Sequence, residues 1–362
     1  MGLFNAKNQK PKKKVKILSR KFLAISLGAA IFATIGPASI ISPEANANEE
    51  IVVVCYGGRY RDAVEKAYIK PFIKETGINV VISDTPDLAK AKAQVETGNV
   101  IWDVFDAIGS FATNGAKYGL WEPLDTSIVD LSDMIIKPEK TYVPWYLWHG
   151  GIAWDPKRFP SKHPTNFKEL WDVEKFPGKR TFRARPFEML EMALLADGVP
   201  PDKLYPLDVD RAFKVCDRIR PFIPKFCKAT TQTIELLRTK EVDYSYTYSG
   251  RALSAKDQGV SIDFSFAQTV IGTEYLTVLK GTKHREAAMK YVNFCLRPDR
   301  QAHFAELFYY NPTVKGGYDL VPQRIKKYFP DPNNPNHVVL NDKWWQPHYD
   351  KIYERFQEWM MK

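Results

Sequence analysis

From Glu50 onward, short apolar runs alternate with longer stretches whose apolar positions recur at helical spacing, the rhythm of an α/β protein with mainly parallel strands. Residues 50–55 (EIVVVC) read as a buried first strand. Tyr56-Gly57-Gly58-Arg59-Tyr60 then turns the chain into a helix over 61–76, on which Val64, Ala67, Tyr68, Phe72 and Ile73 share a face until Gly77 stops it. A second strand is expected at 78–82, a second helix at 88–97 and a third strand at 102–107, followed by a loop at Ile108-Gly109-Ser110. Strands are expected again at 151–154, 180–183, 243–248 and 273–279, with helices at 187–196, 209–219, 233–239 and 285–296. Open α/β sheets hold ligands beyond the carboxyl ends of their parallel strands, so Gly57, Gly58 and Ser110 are candidate ligand contacts. Tyr244, Tyr246 and Tyr248 alternate on one strand, and Tyr248, nearest the strand end, is the one expected at the site. Arg251, just beyond Ser249-Gly250, is a second candidate anion clamp, against its more ordinary place in solvent.

Composition adds size and location. The chain has 362 residues, 44% apolar and 26% charged, enough for two domains. Its net charge of +10 is concentrated at the start: residues 1–47 hold eight Lys or Arg and one acid, and the remaining 315 carry 44 basic and 41 acidic residues. A nearly neutral body gives nucleic acid little purchase as a partner. Residues 1–47 have the anatomy of an export signal, with a basic stretch, the apolar run FLAISLGAAIFATI and a small-residue site at Ala45-Asn46-Ala47. Cleavage is expected after Ala47. The run is shorter than the roughly 20 residues of a membrane-spanning helix. Ser19-Arg20-Lys21-Phe22-Leu23 leaves the general and twin-arginine export routes both open.

Four cysteines in an exported chain raise the question of disulfides. Cys55 and Cys295 fit core positions, whereas Cys216 and Cys227 flank a Pro-containing breaker, and spacing alone leaves a bridge between them open. The six histidines form no HExxH pair, and GxSxG, GxGxxG and GxxxxGK[ST] are missing, so no cofactor is expected and the motif inventory weighs against a hydrolase or other enzyme.

Glu75-Thr76-Gly77-Ile78, Trp102-Asp103-Val104-Phe105-Asp106, Gly119-Leu120-Trp121, the 167–172 segment FKELWD, Phe176-Pro177-Gly178-Lys179, the 188–194 segment EMLEMAL and the run from Ala287 to Arg297-Pro298-Asp299 occur in a telling order. Together they resemble the polyamine-type (spermidine/putrescine) family of bacterial periplasmic solute-binding proteins, across nearly all of 49–313. The resemblance implies two α/β lobes closing around a ligand at a hinge. It also implies periplasmic delivery of a small-molecule solute to an inner-membrane ABC permease, by a monomer. The expected division places 48–152 plus 273–315 in one lobe and 153–272 plus 316–362 in the other.

At the positions where polyamine-binding members carry an aromatic box and carboxylates, the resemblance implies both agreement and departure. The first loop offers Gly57-Gly58 in place of an aromatic and keeps Tyr60. An acid at the start of the middle-lobe helix is replaced by Arg185, while Glu188 one turn later and Glu274 on the late crossing strand are acids. An arginine matches a carboxylate, and glycine amides admit an anion closely. The expected solute therefore bears a carboxylate, as an amino acid or ω-amino acid does, with its ammonium near Glu274 or Glu188. The alternatives are a polyamine or a sugar, and for Arg185 a solvent-facing ion pair with Glu188. Trp148 is assigned to hinge packing in preference to ligand stacking, and Trp344-Trp345 to packing on the second lobe.

Overall fold

The structure, a computed structural model, describes residues 49–329 and 334–362; the expected export signal and its cleavage site lie outside the described residues. The principal strands are β1 (Glu50–Cys55), β2 (Asn79–Asp84), β3 (Val104–Ile108), β4 (Tyr142–Trp154), β5 (Arg180–Arg183), β6 (Lys225–Cys227), β7 (Tyr244–Tyr248), β8 (Asp263–Phe264) and β9 (Val270–Val278). The main path through the sheet runs β2-β1-β3-β9-β4-β7-β5-β6. Its two ends differ from its middle. β1 pairs in parallel with β2 and β3, and β5 pairs in parallel with β6 and β7. β9 and β4, between these wings, run antiparallel to each other and to the wing strands beside them. The chain thus crosses from one parallel wing to the other on two long central strands.

The local chemistry explains most boundaries. Gly58, at φ +72°, turns the chain out of β1, and helical geometry then runs unbroken from Arg59 to Thr76 before Gly77, in the left-handed region, caps it. Asp87 and Asn166 accept from backbone N–H groups three residues on and start their helices as N-caps. β4 begins at Tyr142, well before the expected 151, because all 13 of its residues are buried and the alternation that marks a one-sided strand is missing. Pro144 sits at a break in its register. The expected loop at Ile108-Gly109-Ser110 is corrected: the Gly109–Lys117 helix starts directly from β3, so Ser110 lies in a helical first turn.

All four cysteines are buried free thiols, which answers the open question at Cys216 and Cys227: they are not bridged. The C-terminal Asp342–Met360 helix touches both wings. Gln346 donates to the Thr113 carbonyl at 2.7 Å and Lys343 pairs with Glu139 at 2.8 Å on one side. On the other side Trp345 donates to Glu191 at 2.7 Å and Trp359 to Asp217 at 2.8 Å. No described helix is long and apolar enough to cross a membrane.

Candidate functional site

The carboxyl ends of β1, β3, β5, β6 and β7 converge on a cavity of about 360 Å³, closed on one side by the middle of β4 and β9. This is where a parallel sheet leaves its strand-end amides and loops free to meet a ligand. Aromatic rings make much of the wall. Tyr146 and Tyr310 stack at 4.9 Å between centroids, and Trp148 meets Tyr248 edge-on at 5.2 Å. Such faces attract both methylene chains and cations.

One carboxyl, Glu274, lies on the polar floor, and a second, Asp106, lies directly behind it. On the antiparallel β3–β9 pair, Glu274 lies opposite Ile108 and Leu276 opposite Asp106, which puts Asp106 and Glu274 on one face as diagonal neighbours. Both are at most 2% exposed. Tyr146 donates to the Tyr60 hydroxyl at 2.9 Å, and Tyr60 donates to Asp106 at 2.6 Å. Asp106 Oδ1 and Glu274 Oε1 are buried with no conventional partner, an arrangement that a single proton held between the two carboxyls satisfies. Burial pushes Asp106 up to about 7, and burial together with the Asp106 charge raises Glu274 well above the carboxylate range. The pair therefore holds a proton more readily than ordinary carboxyls do.

The facing wall is cationic. Arg185 donates to Glu188 at 2.7 Å and to the Tyr248 hydroxyl at 2.5 Å, and its guanidinium lies 3.9 Å from the Phe187 ring centre. Its Nε is buried without a partner. Glu188, 1% exposed, holds a left-handed φ of 70° at the start of the Met189–Ala196 helix, strain of order 1–3 kcal/mol that its bonds to Arg185 and Tyr248 fix in place. Arg251, on the helix that follows β7, reaches over to the Gly57 carbonyl at 3.2 Å. From the other side Arg59 Nε donates to Ser254 Oγ at 2.9 Å.

Of the residues singled out in the sequence, Gly57, Gly58, Tyr60, Arg185, Tyr248, Arg251 and Glu274 line this cavity. Glu188 stands directly behind Arg185 and Tyr248. Ser110 lies elsewhere, in a small void against Asp342 and Trp345, because its helix begins without a loop. Trp148 is on the wall as well as at the central strands. Sequence reasoning missed Tyr56, Tyr146, Arg183, Tyr310 and the Lys228–Thr231 turn on the wall, and Asp106 behind it. The strand-end rule carried further finds Arg183 and Lys228, one at the end of β5 and one just past β6; the central-strand residues have no such signal.

Residues 67–331 match the family described as bacterial extracellular solute-binding protein. The chain is 31% identical over 322 residues to the gamma-aminobutyric acid-binding protein of Pseudomonas aeruginosa, covering 86% of this chain and 91% of that one. It is 24% identical over 309 residues to the spermidine/putrescine-binding periplasmic protein of Escherichia coli, covering 80% and 85%. A solved GABA receptor is 34% identical, with a TM-score of 0.79 over 86% of this chain and 98% of that one.

Proposed function

The chain belongs to the bacterial extracellular solute-binding protein family, which serves ABC importers, and from that premise we propose that it captures a zwitterionic amine, most simply an ω-amino acid of the γ-aminobutyrate kind, in the cavity between its wings. One observation carries the reading: a buried carboxyl pair, Asp106 and Glu274, and an arginine with only 15% of its side chain exposed, Arg185, meet at one aromatic-walled space. The ammonium end meets the pair, which sheds its shared proton; the carboxylate meets Arg185, with the Gly57 and Gly58 backbone open to it. The two relatives named for γ-aminobutyrate support this, and the polyamine-binding relative supports the ammonium half alone. A polyamine would bring two or more ammonium groups against Arg183, Arg185 and Arg251.

In this reading the protein acts in the periplasm as a monomer without turnover, after removal of residues 1–47, and hands its closed form to an ABC permease. The lobes are 48–152 with 273–315 and 153–272 with 316–362, closing about β4 and β9. The helix at 342–360, assigned to the second lobe, also bonds to Thr113 and Glu139 of the first. A thermal-shift screen of amino acids, ω-amino acids, polyamines and sugars tests it. A solute at a hundred times its dissociation constant stabilises the fold by about 2.7 kcal/mol, and a rise confined to polyamines or sugars overturns the reading.

A further inference from the structure

We propose that the solute carries a second acid group, received by Arg183, so that its class is an amine with two carboxylates; this rests on the zwitterion reading above. The charges around the cavity do not balance for a simple ω-amino acid. Four cations line it, Arg183, Arg185, Lys228 and Arg251, against one acid, Glu274, with Asp106 and Glu188 directly behind. Glu188 already neutralises Arg185. The Asp106–Glu274 pair answers the ligand ammonium. Of the other three cations Lys228 is exposed to solvent, and Arg183 and Arg251 remain, each on the wall and neither in an ion pair with a described carboxylate.

Arg183 is the more exacting of the two. It is the last residue of β5; its Nη1 donates to the Cys227 carbonyl at 3.0 Å, and its Nε is buried without a partner. Burial first, and then the neighbouring Arg185 charge, pull its pKa below the ordinary arginine value, against the opposing pull of Tyr248 and Glu188. An unpaired charge taken out of water is costly, and a ligand anion relieves that cost. Lys228 and the first turn of the Thr230–Arg238 helix stand on the same cavity wall and add positive potential. The cavity, at about 360 Å³, is in the range that larger ligands occupy, roughly 300–1,000 Å³, and leaves room beside an unbranched four-carbon chain.

Matched solutes test this by calorimetry at pH 8. γ-Aminobutyrate is compared with glutamate, and 5-aminopentanoate with 2-aminoadipate, each pair differing by one carboxylate. The expected result is that at least one diacid binds at least about tenfold tighter than its one-acid partner. Arg183→Gln then brings the ratio of two-acid to one-acid affinity to about one. Arg183→Lys, which keeps the charge without the planar fork, retains part of the preference and serves if the glutamine variant does not fold. Equal binding within both pairs, or Arg183→Gln weakening one-acid and two-acid solutes alike, overturns the inference. One-acid binding with no two-acid binding overturns it and leaves the zwitterion reading standing; no binding by any of the four overturns both.

Discussion

The Arg185 guanidinium lies 2.7 Å from the Glu188 carboxylate while it also forms part of the cavity wall. In the sequence an ion pair and a ligand contact look like alternatives for this arginine. In the fold the two are compatible, because the ion pair forms at the cavity wall with side chains 15% and 1% exposed. Glu188 and Tyr248 hold the guanidinium, which also lines the cavity.

Removing Arg185 should therefore damage both stability and binding. Arg185→Ala strands a buried carboxylate, and breaking a buried pair costs roughly 3–5 kcal/mol, read by urea unfolding. Arg185→Ala/Glu188→Ala is expected to regain most of that stability without regaining solute affinity. A double variant that binds as wild type would reduce the pair to scaffolding.

The Asp106–Glu274 pair makes affinity depend on pH. Because its carboxyls titrate higher than ordinary ones, Asp106 at about 7, the empty cavity holds a proton below neutrality that an incoming ammonium must displace. Affinity should rise from pH 5 to pH 8, by at most about tenfold per pH unit, and Glu274→Gln should flatten the rise. For the empty protein the sign is opposite: raised carboxyls contribute stability that is present below about pH 4 and is lost as pH rises through about 7. Asp106→Asn/Glu274→Gln should lose that part of the pH dependence of unfolding.

Neighbouring glycines separate backbone need from cavity need. A Cβ at Gly57 meets nothing within 4 Å, so Gly57→Ala should leave unfolding within about 0.5 kcal/mol of wild type and act, if at all, on solute binding. Gly58, at φ +72° and with Arg251 Nη1 3.6 Å from its virtual Cβ, should cost about 1 kcal/mol or more as alanine. Equal stability of the two variants would contradict this assignment.

Gly272 on β9 supports the wall from behind. An alanine Cβ there falls inside the Trp148 ring, so Gly272→Ala must displace Trp148 from both Tyr248 and the cavity. Overpacking of this kind costs typically 1–3 kcal/mol. Solute affinity should fall with it, and unchanged affinity would remove Trp148 from the binding wall.

The strand-end logic made half of this site legible in advance. Gly57, Tyr248 and Arg251 follow parallel strands, and their neighbours in the chain predict their place. Ser110 failed because the absence of a loop after β3 depends on a helix starting at Gly109, which nearby apolar spacing does not encode. Tyr146 and Tyr310 were hidden for another reason. They come from a fully buried central strand and from the residue after a helix cap, and only the β4–β9 pairing and the return of the chain past Phe308 bring them together. Asp106 reads as a strand acid in any α/β sequence; its meaning comes from Glu274 on the neighbouring antiparallel strand, a register no local pattern shows. The tail helix likewise packs on both wings through Gln346 and Trp345, a relationship without a sequence period.

On the proposed reading, one cavity binds positive and negative charge at once. Isothermal titration of the purified protein at pH 8 with γ-aminobutyrate, and separately with putrescine and spermidine, measures it directly. Saturable heat is expected with γ-aminobutyrate, which Arg185→Ala and Glu274→Gln each weaken by roughly 30-fold or more, and no comparable binding of either polyamine. Tight putrescine or spermidine binding that survives Arg185→Ala, with γ-aminobutyrate silent, would contradict it.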